Sequence, residues 1–276
     1  MQFQKHYKLI LTAAVLLLAS CASNVIKPVP ADIKLGDITS RSYFFTEADM
    51  DMTYAMYVPS SYDGTSEYPL LVLLHGLTSN PNAVIGYDGI VDQAEQRGMI
   101  VVAPFGYNEG GWYGSRGYTN DFGIPTANMF TEGTPDNLGE LSEIDVRNVM
   151  AIVREQFKID DDRTYLMGHS MGGAGTLHLG IKYSDEWAAI AQMSPAVFNG
   201  PTGPLENLKD VPVMTVQGDK DELVPVNMVR ALVQQFEDAG LNSEYIEIPD
   251  GDHVQVIARN ADMIAQVFEF LTTYTR

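Results

Sequence analysis

The stretch that decides the fold is YLMGHSMGGAG, Tyr165–Gly175, where an apolar run meets a serine set between two glycines. Gly168, Ser170 and Gly172 form the pattern G-x-S-x-G, in which small neighbours let the backbone turn sharply and present the serine hydroxyl. A helix that begins at this turn would also supply positive potential for a developing oxyanion. The pattern also occurs by chance, so its meaning depends on partners elsewhere in the chain.

Apolar runs that suit strands alternate with segments of helical periodicity from about residue 68 to the end of the chain. This alternation predicts an α/β fold with a mostly parallel central sheet and helices on both faces. We predict one domain over residues 46–276, without a large separate cap domain. The preceding run MTYAMYVPSSY alternates like an exposed or edge strand. The runs taken as sheet strands are Tyr68–Gly76, Met99–Gly106, Thr164–Ser170, Trp187–Ala196, Val211–Asp219 and Ser243–His253.

A serine nucleophile needs a base, and the chain offers five histidines. His6 lies in the N-terminal leader, and His75 belongs to the HGL turn after the first central strand. His169 adjoins Ser170, so its side chain is expected to point away from the nucleophile, and His178 lies two turns down the following helix. His253, in a loop after the last strand, is therefore the predicted base.

The base needs an acid that fixes its tautomer. Asp221 is favoured, on the loop after the penultimate strand, with Asp219 on the same loop as the alternative. Asp252 is a rival, but adjacent side chains on an extended loop tend to diverge from each other. The chain order serine, Asp221, histidine agrees with that of the α/β-hydrolases.

Two backbone amides are predicted to form an oxyanion hole. One is the N–H of Met171, the residue after Ser170, and the other is the N–H of Leu77 in the turn HGLTSN. Because both donors are backbone groups, the Leu77 side chain is free to face an acyl pocket.

Three stretches carry a resemblance to a known family: YVPSSYDGTSEYPLLVLLHGLTSNP, FKIDDDRTYLMGHSMGGAGTLHLGIKY, and GDKDELVP with the later DGDH. From about residue 50 onward the chain resembles secreted α/β-hydrolase serine esterases. The group is that of feruloyl esterases and polyhydroxybutyrate depolymerase-like enzymes, often described as prolyl-oligopeptidase-family or phospholipase/carboxylesterase-like hydrolases. The chain differs in lacking the disulfide cysteines of many depolymerases and in having no room for an oligopeptidase propeller.

The resemblance implies a serine carboxylesterase that works through an acyl-enzyme. Its expected substrates are short-chain or aryl esters, including feruloyl or acetyl groups on polysaccharide, or polyesters. A small serine peptidase or a lysophospholipase of the same fold stays open as an alternative, as does an inactive binding module. Inactive binding modules that descend from such enzymes have usually lost the serine or the histidine, and this chain keeps both residues.

Residues 106–138 break the alternation, with little periodicity, many glycines and several aromatic side chains. A loop of this length within a compact domain is usually functional or mobile. We predict that it lies near the active site and that Tyr107, Trp112 and Tyr113 line a substrate cleft. Phe198, which follows the fourth central strand, is a further candidate for the pocket wall.

The formal net charge is −19, and no basic cluster is present, which argues against nucleic-acid binding. No metal-ligand spacing is found, so neither a metal nor an organic cofactor is expected. Three carboxylates, Glu140, Glu143 and Asp145, precede or open a predicted helix and are expected to lie at its positive end.

The N-terminus has the features of an export leader. Two lysines precede the apolar run Leu9–Ala19, which is too short to span a bilayer and matches a signal-peptide core. The sequence LASC resembles a bacterial lipobox that ends at Cys21, the only cysteine. We predict a lipoprotein-type signal peptide over residues 1–20, a tether over 21–45, and export with a lipid anchor on the cell envelope, with plain secretion as the alternative.

Overall fold

The computed structural model describes residues 26–115 and 135–276, which form one eight-stranded sheet in the order β1-β2-β4-β3-β5-β6-β7-β8. The pairs β1–β2 and β2–β4 are antiparallel, whereas all the other neighbouring pairs, from β4–β3 to β7–β8, are parallel. The predicted mostly parallel sheet is therefore confirmed. The strands are β1 (Ile38–Phe45), β2 (Met50–Tyr57), β3 (Tyr68–Leu74), β4 (Ile100–Pro104), β5 (Ile159–His169), β6 (Ala189–Met193), β7 (Val213–Gly218) and β8 (Ser243–Ile248).

Helices cover both faces of this sheet. Apolar residues of α3, α4 and α5 pack on one face, and those of α1, α2, α6 and α7 pack on the other. In the described part of the chain no further domain sits above the sheet. The helices are α1 (Pro81–Ile85), α2 (Ile90–Arg97), α3 (Leu138–Gln156), α4 (Met171–Lys182), α5 (Val226–Asp238), α6 (Gln255–Ala258) and α7 (Ala261–Thr272).

Strand β3 shows why the sequence pattern predicts this arrangement. All seven of its residues are buried, with Leu70, Val72 and Leu74 on one face and Leu71 and Leu73 on the other. A strand that is covered on both faces has a continuous run of apolar residues in its sequence, and β3 has such a run. The carboxyl ends of β3, β5, β7 and β8 meet at one edge of the sheet, where the turns after them carry the candidate catalytic residues.

The N-terminal boundary requires a correction, because part of the predicted tether belongs to the folded domain. Residues 38–45 form β1, which pairs along its whole length with β2, so β1 rather than β2 is the edge strand. Upstream of it, the Lys27 ammonium donates to the carbonyls of Arg154 and Phe157, at the end of α3. The Lys27 amide also donates to the carbonyl of Gly64 at 3.0 Å. Cationic groups favour this end of a helix, which explains the docking of the segment.

The C-terminal helical segment is divided into two helices rather than one. The break falls at Asn260, whose side chain accepts a hydrogen bond from the Met263 amide and so caps the start of α7. A cap of this kind satisfies an amide that has no partner within the helix. None of the helices among the described residues combines the length and the apolar character needed to cross a bilayer.

Candidate active site

Ser170 stands at the turn between β5 and α4, with φ 59° and ψ −115°. Few L-residues adopt this conformation, and here the close packing of the turn maintains it. A Cβ on Gly168 would lie 2.2 Å from the carbonyl oxygen of Gly172, and a Cβ on Gly172 would lie 2.3 Å from that of Leu74. Both glycines of the G-x-S-x-G pattern are therefore required by close backbone approach.

A chain of hydrogen bonds joins the three residues that the sequence analysis selected. The Ser170 Oγ lies 2.9 Å from the Nε2 of His253, and the Nδ1 of His253 lies 2.7 Å from an Oδ of Asp221. Because a carboxylate only accepts, Nδ1 carries a proton and Nε2 is free to accept the serine proton. This tautomer is the one that a general base requires.

Several donors fix the Asp221 carboxylate, which is buried. The amides of Leu223 and Val224 donate to Oδ1 of Asp221. The side-chain amide of Gln217 donates to Oδ2, which also accepts the hydrogen bond from Nδ1 of His253. Burial opposes ionisation, but the hydrogen bonds from His253 and from the backbone outweigh it and lower the pKa of Asp221. The site therefore presents a charged, immobile acceptor to the imidazole.

Neither rival acid contacts His253. Asp219 has a buried Oδ1 without a hydrogen-bond partner among the described residues. The Oδ1 of Asp252 accepts from the amides of Val254 and Gln255, at 2.9 and 2.7 Å, so this carboxylate is held in a local turn that precedes α6. The geometry thus favours Asp221 as the partner of the base.

The two predicted oxyanion donors lie on elements that pack against each other. A Cβ on Gly76, beside Leu77, would lie 3.4 Å from the Cβ of Ser170, so the turn after β3 contacts the elbow. Within the described ranges, the amides of Leu77 and Met171 donate no hydrogen bond to a protein group. Unpaired amides at this position are available to a developing oxyanion. The catalytic roles of all five residues stay predictions.

The chain matches the family model described as "Putative esterase" over residues 46–257. It belongs to this esterase family. A bifunctional acetylxylan esterase/xylanase from Neocallimastix patriciarum is 29% identical over 184 residues, which make up 66% of this chain and 23% of that protein. An S-formylglutathione hydrolase from Bos taurus is 28% identical over 153 residues, 54% of this chain and 53% of that protein. The chain thus spans about half, or less, of the length of these relatives.

Solved structures show the same fold. The CE1 ferulic acid esterase of Anaeromyces mucronatus superposes with a TM-score of 0.64 at 18% identity, covering 90% of the present chain and 94% of that chain. A thermostable esterase superposes with a TM-score of 0.63 at 21% identity, covering 88% and 64% respectively. These neighbours confirm the α/β-hydrolase fold that the resemblance implied.

His169 supports the base, a role that the sequence analysis missed. Its Nε2 lies 2.8 Å from the carbonyl oxygen of His253, and its Nδ1 lies 2.9 Å from the hydroxyl of Tyr87. A carbonyl only accepts, so Nε2 donates and the Tyr87 hydroxyl donates to Nδ1. Burial, with the nearby His253, lowers the pKa of His169 to about 4 and keeps the ring neutral.

Two of the three aromatic loop residues lie in different places from those expected. Tyr107 packs edge-on against Phe45, with ring centroids 6.3 Å apart, in a small cluster between β1, β2 and α3. Trp112 and Tyr113 are buried in the main core, and the Tyr113 hydroxyl contacts the backbone of His75. The two buried rings, those of Trp112 and Tyr113, pack in the core instead of lining a cleft, whereas for the half-buried Tyr107 the expectation stays a prediction. Residues 116–134 of the same predicted loop lie outside the described residues.

Phe198 lines a cavity of about 480 Å³ beside the turn that carries Ser170. The cavity begins next to Ala174 and Ala196, whose amides both donate to the carbonyl oxygen of Ser170. Its described lining contains apolar, hydroxyl and amide groups, with His178 as the titratable residue and no carboxylate, lysine or arginine. The lining residues are Gly114, Ser115, Ala174, Leu177, His178, Ala196, Val197, Phe198, Asn199, Gly200, Pro201 and Thr202.

Two of the three carboxylates expected at the start of α3 have other roles. Glu140 does lie in the first turn. Asp145 is fully buried further along the helix and accepts from the amide of Gly106 and the hydroxyl of Tyr43, both at 2.6 Å, so it fixes the start of the loop after β4. Burial raises the pKa of Asp145 to about 6. Glu143 contacts α4.

The described residues contain no group of three or more His, Cys, Asp or Glu side chains that could hold a metal ion. Cys21, the predicted lipidation site, lies outside the described residues. The hydrogen-bond chain of Ser170, His253 and Asp221 is an arrangement that can support acyl transfer through a serine, with proton transfer by a histidine and charge stabilisation by backbone amides.

Proposed function

We propose that this esterase is a serine carboxylesterase that hydrolyses uncharged esters with a short acyl or aryl group. The observation that carries the proposal is the Ser170–His253–Asp221 hydrogen-bond chain next to a cavity without charged side chains in its described lining. Membership of the esterase family supports the same reaction.

In the proposed mechanism, Ser170 attacks the ester carbonyl as His253 takes the hydroxyl proton onto Nε2. Asp221 stabilises the imidazolium that forms, and the amides of Leu77 and Met171 hold the tetrahedral oxyanion. The imidazolium then returns its proton to the leaving alcohol, which breaks the carbon–oxygen bond and leaves an acyl-serine. Water, deprotonated by His253, hydrolyses the acyl-enzyme and restores the serine.

The lining of the cavity bears on the substrate class. A relative acts as an acetylxylan esterase by name, and a solved neighbour was determined with ferulic acid. Acetyl and feruloyl esters of neutral carbohydrate fit a lining of apolar, hydroxyl and amide groups. Glutathione thioesters fit less well, since a tripeptide with two carboxylates calls for cationic partners that the described lining does not provide.

A substrate panel tests this proposal. Purified protein would be assayed with p-nitrophenyl acetate, methyl ferulate, acetylated xylan, S-formylglutathione and a dipeptide p-nitroanilide. We expect the highest kcat/KM on the uncharged esters and at least tenfold lower values on the thioester and the amide. A preference for S-formylglutathione would move the proposal to a thioester hydrolase, and turnover of the anilide alone would move it to a peptidase.

We further propose that the protein is exported and held on the cell envelope by a lipid on Cys21. Lys27, six residues later, docks beside Gly64 and Phe157, near the amino ends of β3 and β5 and thus at the end of the sheet opposite Ser170. An anchor at Cys21 would therefore leave the active site facing away from the membrane, which favours polymeric or dissolved esters over membrane lysophospholipids. Labelled palmitate should enter wild type and not Cys21→Ser, and equal labelling would contradict the anchor.

A further inference from the structure

The far end of the cavity holds a second chain of hydrogen bonds that the proposed chemistry does not use. Glu143 on α3 accepts at Oε2 from the Nε2 of His178 at 2.8 Å, and the Nδ1 of His178 lies 2.7 Å from the Oγ1 of Thr202. The other oxygen of Glu143 accepts from the Lys182 ammonium at 2.6 Å and from the Tyr183 hydroxyl at 2.5 Å. The Glu143 carboxylate is thus held by three side chains: His178 and Lys182 lie on α4, and Tyr183 directly follows this helix.

The ionised Glu143 carboxylate determines one proton position in this series of hydrogen bonds. Burial disfavours the charge on Glu143, but its hydrogen bonds from His178, Lys182 and Tyr183 prevail and lower its pKa to about 2. The ionised carboxylate accepts from the Nε2–H of His178, and the Nδ1 of the same ring faces the Thr202 hydroxyl. A hydroxyl group has one proton to donate and two lone pairs to accept, and the bond to Nδ1 uses only one of the three, so at least one lone pair of Thr202 stays available to accept a hydrogen bond.

Helix α4 sets the distance between Ser170 and His178. Ser170, Ala174 and His178 are spaced by four residues, so they follow one face of the helix, and Ala174 and His178 both line the cavity. At about 1.5 Å per residue, His178 lies about 12 Å along the helix from Ser170. Thr202 faces the same cavity and is exposed to it.

We propose that Thr202, held by His178 and Glu143, is a specificity-determining residue that accepts a hydrogen bond from a hydroxyl group of the substrate, at a point beside His178 and thus about 12 Å along α4 from Ser170. The inference rests on the proposed function and names the part of the substrate that the cavity recognises. An uncharged group with a hydroxyl donor satisfies the free acceptor on Thr202 without bringing a charge into the cavity. Such a hydroxyl is carried by a phenol on the acyl side or by a sugar on the alcohol side.

The test compares ester pairs that differ in this hydroxyl, with wild type and Thr202→Val, an exchange that keeps the side-chain shape. For the acyl side the pair is methyl 4-hydroxycinnamate and methyl cinnamate; for the alcohol side it is a monoacetylated methyl xyloside and its deoxy analogue, which lacks the free hydroxyls. The readout is the ratio of kcat/KM for the hydroxylated ester to that for its partner. We expect Thr202→Val to lower this ratio about 5- to 10-fold in one pair, which identifies the side that the cavity takes.

Two further variants separate recognition from a structural role. Thr202→Ser keeps a hydroxyl and should keep the ratio near the wild-type value, while Thr53→Val, on the exposed face of β2, should leave it unchanged. An unchanged ratio in both pairs with Thr202→Val, in a protein that still turns over the esters, overturns this inference and leaves the proposed function intact. If wild type hydrolyses none of the four esters, the result contradicts the proposed function and this inference with it.

Discussion

Ser170 illustrates how much of the site is determined at the scale of single residues. Its φ of 59° has a cost of about 1–3 kcal/mol for an L-residue, which the surrounding packing offsets. In return, the hydroxyl reaches His253 at 2.9 Å while the next amide, of Met171, has no protein acceptor among the described residues. One backbone conformation thus positions both the candidate nucleophile and a predicted oxyanion donor.

The first prediction concerns the acid of the site. Asp221→Asn should lower kcat at least about a thousandfold, because an amide in place of the carboxylate favours the wrong tautomer of His253. Asp219→Asn is the matched control, since this carboxylate has no contact with His253, and its kcat should stay within about threefold of wild type. The measurement is p-nitrophenyl acetate turnover at saturating substrate. A severe loss in Asp219→Asn with a mild loss in Asp221→Asn would reverse the assignment.

The second prediction concerns His169 as a positioning residue. His169→Phe keeps a planar ring but removes the donor to the His253 carbonyl, so we expect kcat to fall about tenfold with little change in KM. Tyr87→Phe leaves that donor in place and should have a smaller effect. Steady-state kinetics of folded protein, checked by circular dichroism, measure both. A rise in KM at constant kcat would instead indicate a role in substrate binding.

The contribution of His169 could not be read from the sequence, although the triad could. From its position next to Ser170, the His169 side chain was expected only to point away from the candidate nucleophile. The relevant contact is instead with the backbone of a residue 84 positions later, which only the fold brings near. Long-range contacts to backbone groups leave no pattern in the sequence.

At the scale of elements, the elbow depends on how closely α4 approaches the turn after β3. We expect Gly172→Ala to lower the free energy of unfolding by at least about 3 kcal/mol, because its Cβ would lie 2.3 Å from the Leu74 carbonyl oxygen. Gly240→Ala is the control: it has a positive φ but open space around it, so it should cost only about 1 kcal/mol. Urea denaturation measures both, and equal costs would contradict this view of the elbow.

The contact between α3 and α4 through Glu143 gives the fourth prediction, a pH dependence. The folded pKa of Glu143, about 2, lies below the ordinary value of 4.5, so its stabilising contribution is complete above pH 4.5 and is lost as the pH falls toward 2. That contribution amounts to at most about 3 kcal/mol. Between pH 5 and pH 2.5 wild type should therefore lose more unfolding free energy than Glu143→Gln. Parallel losses in the two proteins would show that this carboxylate does not stabilise the contact.

Elements with strong patterns were predictable, whereas those determined by distant partners were not. The buried run of β3 and the strand–turn–helix around Ser170 are visible in the sequence. Strand β1 was assigned to a tether because ITSRSYFF has no buried face of its own and gains its order from pairing with β2. The interruption before α7 depends on one side-chain cap, at Asn260, within an otherwise continuous helical pattern.

At the scale of the whole molecule, the fold places three separate functions on one sheet. The carboxyl edge of the parallel strands holds the candidate triad, and α4 leads from Ser170 along the cavity to His178. The segment that begins at Ile26 docks at the amino ends of β3 and β5, on the far side of the sheet. This arrangement places the docked segment and the candidate catalytic residues at opposite ends of the parallel strands.

The measurement that tests the central claim most directly is the hydrolysis of p-nitrophenyl acetate by wild type and by Ser170→Ala, with both proteins shown to be folded. The removed hydroxyl is small, and its loss leaves the hydrogen bond between His253 and Asp221 in place. We expect kcat to fall at least about a thousandfold in the variant, because no acyl-enzyme can form. Equal rates in the two proteins would contradict the assignment of Ser170 as the nucleophile.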